Sequence, residues 1–396
     1  MPTGETTAVN HTRVFRYLPV ALLAALPLAG CDDSTAPQDR IVEGINLTEL
    51  FAPPTSAEIA AILADWATRD VSAKDVQVEV TDTVTIGTTE FTIQIVSHTV
   101  GEVKHYGAVM EPLGAAPESL PLLTYSHGGD GGVDIDELIP LIPIILGDLA
   151  DDFVLVAPSF RDEPLTYDGT VYQSEGPPSP WDYDVDDALA LINVVLSGVG
   201  PAADPQRMGV LGFSRGACVG MLMAERDSRI DVGVEFFGPT DFFGAFVQEV
   251  TEEALLGTLR DLPGLEFLDN EYIQPLKRGE LTIEDVRTQM ARRSPVYFAD
   301  RLPQVQVHHG TSDEIVPVSE AERLIEVMLG LGRGEPEFES YIYEGGVHNP
   351  LTLAGSIPRT QAFVSRLLSQ ALIATGPSTG SPAIPSGPRT PPTLEY

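Results

Sequence analysis

Met208-Gly209-Val210-Leu211-Gly212-Phe213-Ser214-Arg215-Gly216 decides how this chain reads. Met208–Leu211 is a short apolar run of the kind that forms a buried strand, and Ala217, Val219 and Met221 open a helix. Between them lies G-x-S-x-G, the sharp strand-to-helix turn known as a nucleophile elbow. A serine on such a turn is held in a strained backbone conformation. Side chains at its two glycine flanks would strike the neighbouring strand or helix. The turn exposes the Ser214 hydroxyl and aims a helix N-terminus at any negative charge developing beside it. Ser214 is therefore the candidate nucleophile.

A serine hydroxyl is too weak an acid to attack unaided, so a general base and an orienting carboxylate are needed. After an elbow they follow in the order Ser, Asp, His. Past the apolar run Val305–His308 comes Gly310-Thr311-Ser312-Asp313, with Val316-Pro317 beyond it. Past Phe338–Tyr343 comes Gly345-Gly346-Val347-His348. Asp313 is expected to hold the imidazole of His348, and His348 to take the Ser214 proton. The other histidines fit less well. His98 and His105 lie on early strands, and His308 and His309 close a strand as structural residues. His127 opens His127-Gly128-Gly129-Asp130-Gly131-Gly132 after the run Leu120–Tyr125, where a loop of backbone donors for an oxyanion belongs. The amide of Arg215 is the expected second donor, and the first comes from Gly129 or Asp130. A carboxylate at Asp130 is compatible with that role only if it points away.

The surrounding rhythm supports this reading. Pro54–Ala67 reads as a helix with a Thr55/Glu58 capping box. Val76–Ile86, Phe91–Val100 and Lys104–Met110 alternate as antiparallel strands. Apolar runs then alternate with helical stretches at 136–149, 183–196, 216–226, 320–329 and 359–372, which predicts a mostly parallel sheet covered on both faces. The interval 240–293, with helical sequence at 250–262 and 284–292, reads as a lid inserted above the carboxyl ends of the strands. The acidic run Asp182-Tyr183-Asp184-Val185-Asp186-Asp187 lacks the turn glycine of a calcium loop. It reads as carboxylates at a helix start, where the dipole favours them.

The chain has 396 residues, 58 acidic against 23 basic, a formal charge of −35. A surface so negative repels phosphate backbones and excludes nucleic acid as a partner. Its two cysteines, Cys31 and Cys218, make neither a disulfide framework nor a cysteine-rich zinc site. Arg13 and Arg16, the apolar stretch Leu18–Leu28 and a small-residue close give residues 1–30 the pattern of a secretory signal, too short to span a bilayer. Leu28-Ala29-Gly30-Cys31 resembles the bacterial lipobox. That resemblance implies a lipid-modified Cys31 anchoring an extracytoplasmic protein to a membrane, with residues 31–39 as its linker. Residues 40–374 form one domain, and the Pro/Ser/Gly-rich stretch 375–396 reads as a disordered tail.

With these residues in place, the chain resembles the α/β-hydrolase superfamily, and within it the catalytic domain of the prolyl oligopeptidase (S9) group. The resemblance rests on Ser126-His127-Gly128-Gly129, Ala157-Pro158-Ser159-Phe160-Arg161, the elbow, Arg293-Ser294-Pro295, His309–Pro317 and Gly346-Val347-His348. It implies hydrolysis of an ester or peptide bond through an acyl-enzyme, with no metal or organic cofactor, on a small ester or short peptide. The stretch before Pro121 is too short for the group's β-propeller, and Asp162 stands where glycine is usual. These departures weigh against peptidase activity more than against hydrolysis. The alternative is a non-catalytic binding lipoprotein that keeps the fold.

Overall fold

In the computed structural model residues 39–369 are described. The expected signal segment, Cys31 and its linker up to residue 38, and the tail lie outside the described residues. A nine-stranded sheet dominates: β1 Lys74–Ile86, β2 Thr89–Val100, β3 Val103–Pro112, β4 Leu120–Ser126, β5 Val154–Pro158, β6 Ala203–Phe213, β7 Ile230–Phe236, β8 Gln304–Gly310 and β9 Phe338–Tyr343. Its order is β9-β8-β7-β6-β4-β5-β3-β2-β1. From β5 to β9 every pairing is parallel, and the pairings from β5 through β3 to β1 are antiparallel. The mostly parallel sheet expected from the sequence is present. Crossing from β4 to β5 on one side and to β6 on the other makes β4 and β6 neighbours, so the loops after them meet.

Strand β6 shows why the sheet is covered on both faces. Met208 and Val210 pack into one buried cluster, Leu211 and Phe213 into the other, as the two-residue period of a strand dictates. The first cluster takes the apolar sides of α1 Ser56–Trp66, α3 Tyr183–Val194, α4 Arg215–Arg226 and α7 Ser319–Gly330. The second takes α2 Ile135–Leu146 and α8 Ser356–Val364. The Thr55/Glu58 capping box of α1 is formed as expected. Cys218 is buried in α4, and burial pushes its thiol well above the usual range.

Three expectations need correction. The helix expected over 250–262 is α5 Ala245–Leu256, stopped by Gly257 in the left-handed region. The helix expected over 359–372 begins earlier, at Ser356 behind a left-handed Gly355, and breaks after Val364. A hairpin of Pro164–Tyr167 and Thr170–Gln173, paired with Val133–Asp134, was not expected at all.

The acidic start of α3 is also more than a dipole effect. Asp182, Asp184, Asp186 and Asp187 are all buried, and each pairs with arginine. Asp182 binds Arg69 at 2.7 Å and Arg292 at 3.3 Å. Asp186 binds Arg69 at 3.2 Å and also Arg226. Asp187 takes two bonds from Arg161, at 2.7 and 3.0 Å. Asp184 binds Arg215 of the elbow at 2.8 Å. A buried carboxylate without such partners would not remain charged.

This hub makes a stability prediction. Among the described residues Asp186 is the only carboxylate bonded to Arg226, so Asp186→Ala strands a buried guanidinium. The unfolding free energy in urea is expected to fall by about 3–5 kcal/mol. A change under about 1 kcal/mol would show that Arg226 finds water instead.

Candidate active site

Ser214 lies at the junction of β6 and α4 with φ 54° and ψ −121°, a conformation only a turn under constraint imposes on a serine. Its amide donates to the Phe236 carbonyl at 2.8 Å, tying the elbow to the end of β7. The flanking glycines are needed for space. A Cβ at Gly212 would lie 2.3 Å from the Gly216 carbonyl oxygen, and one at Gly216 2.1 Å from that of Ser126. A Cβ at Gly128 would lie 3.0 Å from the Phe213 oxygen and 3.1 Å from Ser214 Cβ, so the loop after β4 lies directly on the elbow.

Asp313 and His348 meet as expected. Nδ1 of His348 donates to Asp313 Oδ2 at 2.7 Å, and the amides of Ile315 and Val316 each donate to Oδ1 at 2.9 Å. Burial pushes the Asp313 carboxyl up, but the imidazole and the two amides outweigh it and hold it below the usual carboxylate range. Nε2 of His309 bonds the Val316 carbonyl at 2.8 Å, bracing the acid's turn. His308 is held by Tyr343 and Gln306, each at 2.8 Å. Both are structural, as the sequence indicated.

The His348 ring lies 4.2 Å from that of Phe237, the residue after β7, which is itself 6.2 Å from the ring of Phe213. Phe237 also has a left-handed backbone, φ 44°. Phe213, Phe237 and the imidazole therefore form one aromatic wall beyond the ends of β6 and β7. Among the described residues no hydrogen bond joins Ser214 Oγ to His348 Nε2. Bonds of this kind often tighten only when substrate is bound.

Arg215 works through its side chain as well as its amide. It is buried, with Nε and Nη2 on Asp184 Oδ2 at 2.9 and 2.8 Å. Nη1 reaches Glu163 and donates to the Gly129 carbonyl at 3.0 Å. Its guanidinium lies 5.0 Å from the Phe160 ring centroid, and His127 stacks on that ring at 4.4 Å. The amides of Gly129, Asp130 and Arg215 donate to no acceptor among the described residues. The side chain of Asp130 is exposed, which removes the objection to a carboxylate in this loop. Sequence reasoning missed Glu163, Phe237 and Trp181. None of the three carries a local sequence signal: Glu163 simply follows Asp162 in the loop after β5.

Beside Ser214 a cavity of about 50 Å³ is lined by Gly129, Arg215 and Val316 and by apolar side chains that include Trp181, Phe242, Phe246 and Leu265. Phe246 comes from α5 and Leu265 from the short helix after it, so residues of the 240–293 stretch line the cavity. Gly264, left-handed at φ 80°, lets the Trp181 ring under the lid, since a Cβ there would come within 2.3 Å of it. The lining contains no carboxylate, and Arg215 is its one charged residue.

No protein-family model matches this sequence, and no curated protein does. Among solved structures the chain is similar to acetyl xylan esterase 1 from Thermoanaerobacterium sp. JW/SL YS485, at 16% identity and a TM-score of 0.56, over 82% of this chain and 99% of that one. It is similar also to the acetyl xylan esterase of Paenibacillus sp. R4, at 16% identity and a TM-score of 0.55, over 81% of this chain and all of that one. The sheet order, the strained serine after β6 and these two likenesses agree that the chain has the α/β-hydrolase fold.

Proposed function

We propose that the protein is a serine hydrolase that cleaves esters of short acyl groups through an acyl-enzyme. The observation that carries this reading is the strained Ser214 facing a small apolar cavity, with an Asp313–His348 pair bonded at 2.7 Å on the neighbouring loops. Ser214 Oγ attacks the ester carbonyl carbon while His348 Nε2 takes its proton. The amides of Arg215 and of Gly129 or Asp130 receive the oxyanion. Asp313 stabilises the imidazolium and fixes its tautomer. His348 then protonates the leaving alcohol, and water, activated by the same imidazole, releases the acid.

The cavity favours esters over peptides. Holding one water takes about 10–15 Å³ on this measure, so about 50 Å³ suits a short acyl chain. No carboxylate in the lining would receive a free peptide amine, and burying that charge unpaired is costly. The two similar structures, both acetyl xylan esterases, support the same choice, whereas the S9 likeness in the motifs would allow a peptide. For the N-terminus, the lipobox-like stretch supports tethering through lipid on Cys31, on the outer side of a bacterial membrane.

A fluorophosphonate probe should label Ser214, and Ser214→Ala should abolish both labelling and ester turnover. Asp313→Asn should keep the fold and lower kcat by about 10⁴-fold, because the imidazole is left in the wrong tautomer. Label at another residue would overturn the assignment. Nitrophenyl acetate to butyrate should exceed the decanoate in kcat/KM by about tenfold or more, since filling a full cavity with further methylenes brings strain rather than burial. A preference for the long chain would mean that the lid opens onto a larger space. Palmitate should be incorporated into the full-length protein in cells and lost in Cys31→Ser, which should appear in the soluble fraction.

A further inference from the structure

The loop that faces Ser214 is held by two side chains at successive peptides. Nδ1 of His127 lies 3.1 Å from the Gly128 carbonyl oxygen, which can only accept, so Nδ1 carries a proton and donates. Nη1 of Arg215 donates to the Gly129 carbonyl. In a trans peptide the N–H points opposite to the C=O. These two bonds therefore fix the directions of the Gly129 and Asp130 amides, the two candidates for the loop's oxyanion donor.

Glu163 touches both holders. One carboxyl oxygen is bonded to Arg215, and the other, Oε2, faces Nε2 of His127 at 3.6 Å. Oε2 and Nε2 are both buried, and neither has a hydrogen-bond partner. At 3.6 Å they stand about half an ångström beyond hydrogen-bond reach, and a proton on one of them lets a small side-chain shift satisfy both. We propose that Glu163 is a positioning residue for the oxyanion loop, sharing one proton with His127 so that both bonds to the loop can exist together. This inference rests on the hydrolase reading for its effect on rate, but not for the proton itself.

Counting protons gives the mechanism. Gly128 O and Glu163 Oε2 both face the imidazole of His127. With a proton on Oε2 and the pair closed to hydrogen-bond distance, Glu163 donates to Nε2 while Nδ1–H still donates to Gly128 O, and both ring nitrogens and both carboxyl oxygens are satisfied. When that proton leaves to solvent, one imidazole proton remains for two acceptors. Either Nδ1 keeps it and the Nε2 lone pair meets a carboxylate, or Nε2 takes it and the Nδ1 lone pair meets the Gly128 carbonyl. The second arrangement releases the Gly128–Gly129 peptide.

The groups facing Glu163 are His127 and Asp130 of the loop, Asp184 of α3 and Arg215 of α4; Arg215 also faces His127. Burial, opposed by Arg215 and reinforced by Asp184 and Asp130, pushes the Glu163 carboxyl up to about 7. Burial and Arg215 pull the imidazole of His127 down to about 3, against the Gly128 carbonyl. The proton therefore sits on the carboxyl, and it is lost as pH rises through about 7.

The test uses the full chain with Glu163→Ala and Glu163→Gln, whose amide supplies a fixed donor to Nε2 and an acceptor to Arg215. In the wild type, kcat for a short nitrophenyl ester should fall about tenfold or more above that pH, with KM changing much less, as when an oxyanion donor is weakened. Glu163→Ala should lose about 10²-fold in kcat at all pH. Glu163→Gln should recover most of that loss and should lack the alkaline decline. Equal losses in the two variants, or an unchanged alkaline decline in Glu163→Gln, would overturn the proposal. Nitrogen-15 shifts of the His127 ring give a readout independent of turnover. They should move with pH through the same transition in the wild type and stay constant in Glu163→Gln; a pH-independent wild type also overturns the proposal. A protein that turns over no ester would sink the hydrolase reading, with the ring shifts still deciding where the proton lies.

Discussion

A guanidinium buried directly behind the strained Ser214 must be neutralised, and much of this architecture follows from that. Arg215 is fixed in position by the turn that exposes Ser214, so its side chain cannot escape to solvent. Asp184 meets it as the charged partner, and Glu163 as a hydrogen-bond acceptor. Asp184 arrives on α3, whose neighbouring carboxylates would in turn be uncompensated without Arg69, Arg161, Arg226 and Arg292. These arginines come from the start of the domain, the loop after β5, the far end of α4 and the end of the lid. The charge on one elbow residue is thereby balanced through four separate parts of the chain. Such a network does not by itself raise stability, since well-packed apolar residues can do as well. What it provides is a fixed mutual placement of the segments that surround Ser214.

The fold was largely legible because its signals are local. Period-two alternation marked β1 to β3, short apolar runs marked the parallel strands, and glycine at both flanks of Ser214 marked the turn. Asp313 and His348 were found because each follows a late strand, and sheet topology brings such positions together. The hub on α3 was misread for the opposite reason. Four acids at a helix start are locally well explained by the dipole, and nothing nearby in sequence announces arginines at 69, 161, 226 and 292. Phe237 is invisible in the same way, since its left-handed backbone and its place beneath His348 depend on where β7 ends against β6 and β8. The ends of helices shifted where a glycine adopted the left-handed region, at 257 and 355, a choice that only the tertiary path makes clear.

Three residues other than glycine carry positive φ around the site: Trp181, Ser214 and Phe237. Each costs of order 1–3 kcal/mol, and each borders the cavity or the aromatic wall. Strain collected there is consistent with a site whose geometry is held by its surroundings rather than by local preference.

The chain enters the described structure at the lid. Arg40 pairs with Glu252 of α5, and Glu43 lies 3.3 Å from Lys277 on the short helix Gln274–Arg278. Arg287, on Ile283–Ala291, donates to the carbonyls of Glu49, Leu50 and Ala52 and to the carboxylate of Glu58. Mechanical load applied at residue 39 is therefore delivered in part to the segments roofing the cavity, beside the direct path through α1 to the sheet. The first residues of the domain and the cover of the cavity are thus joined by charge pairs rather than by separate supports.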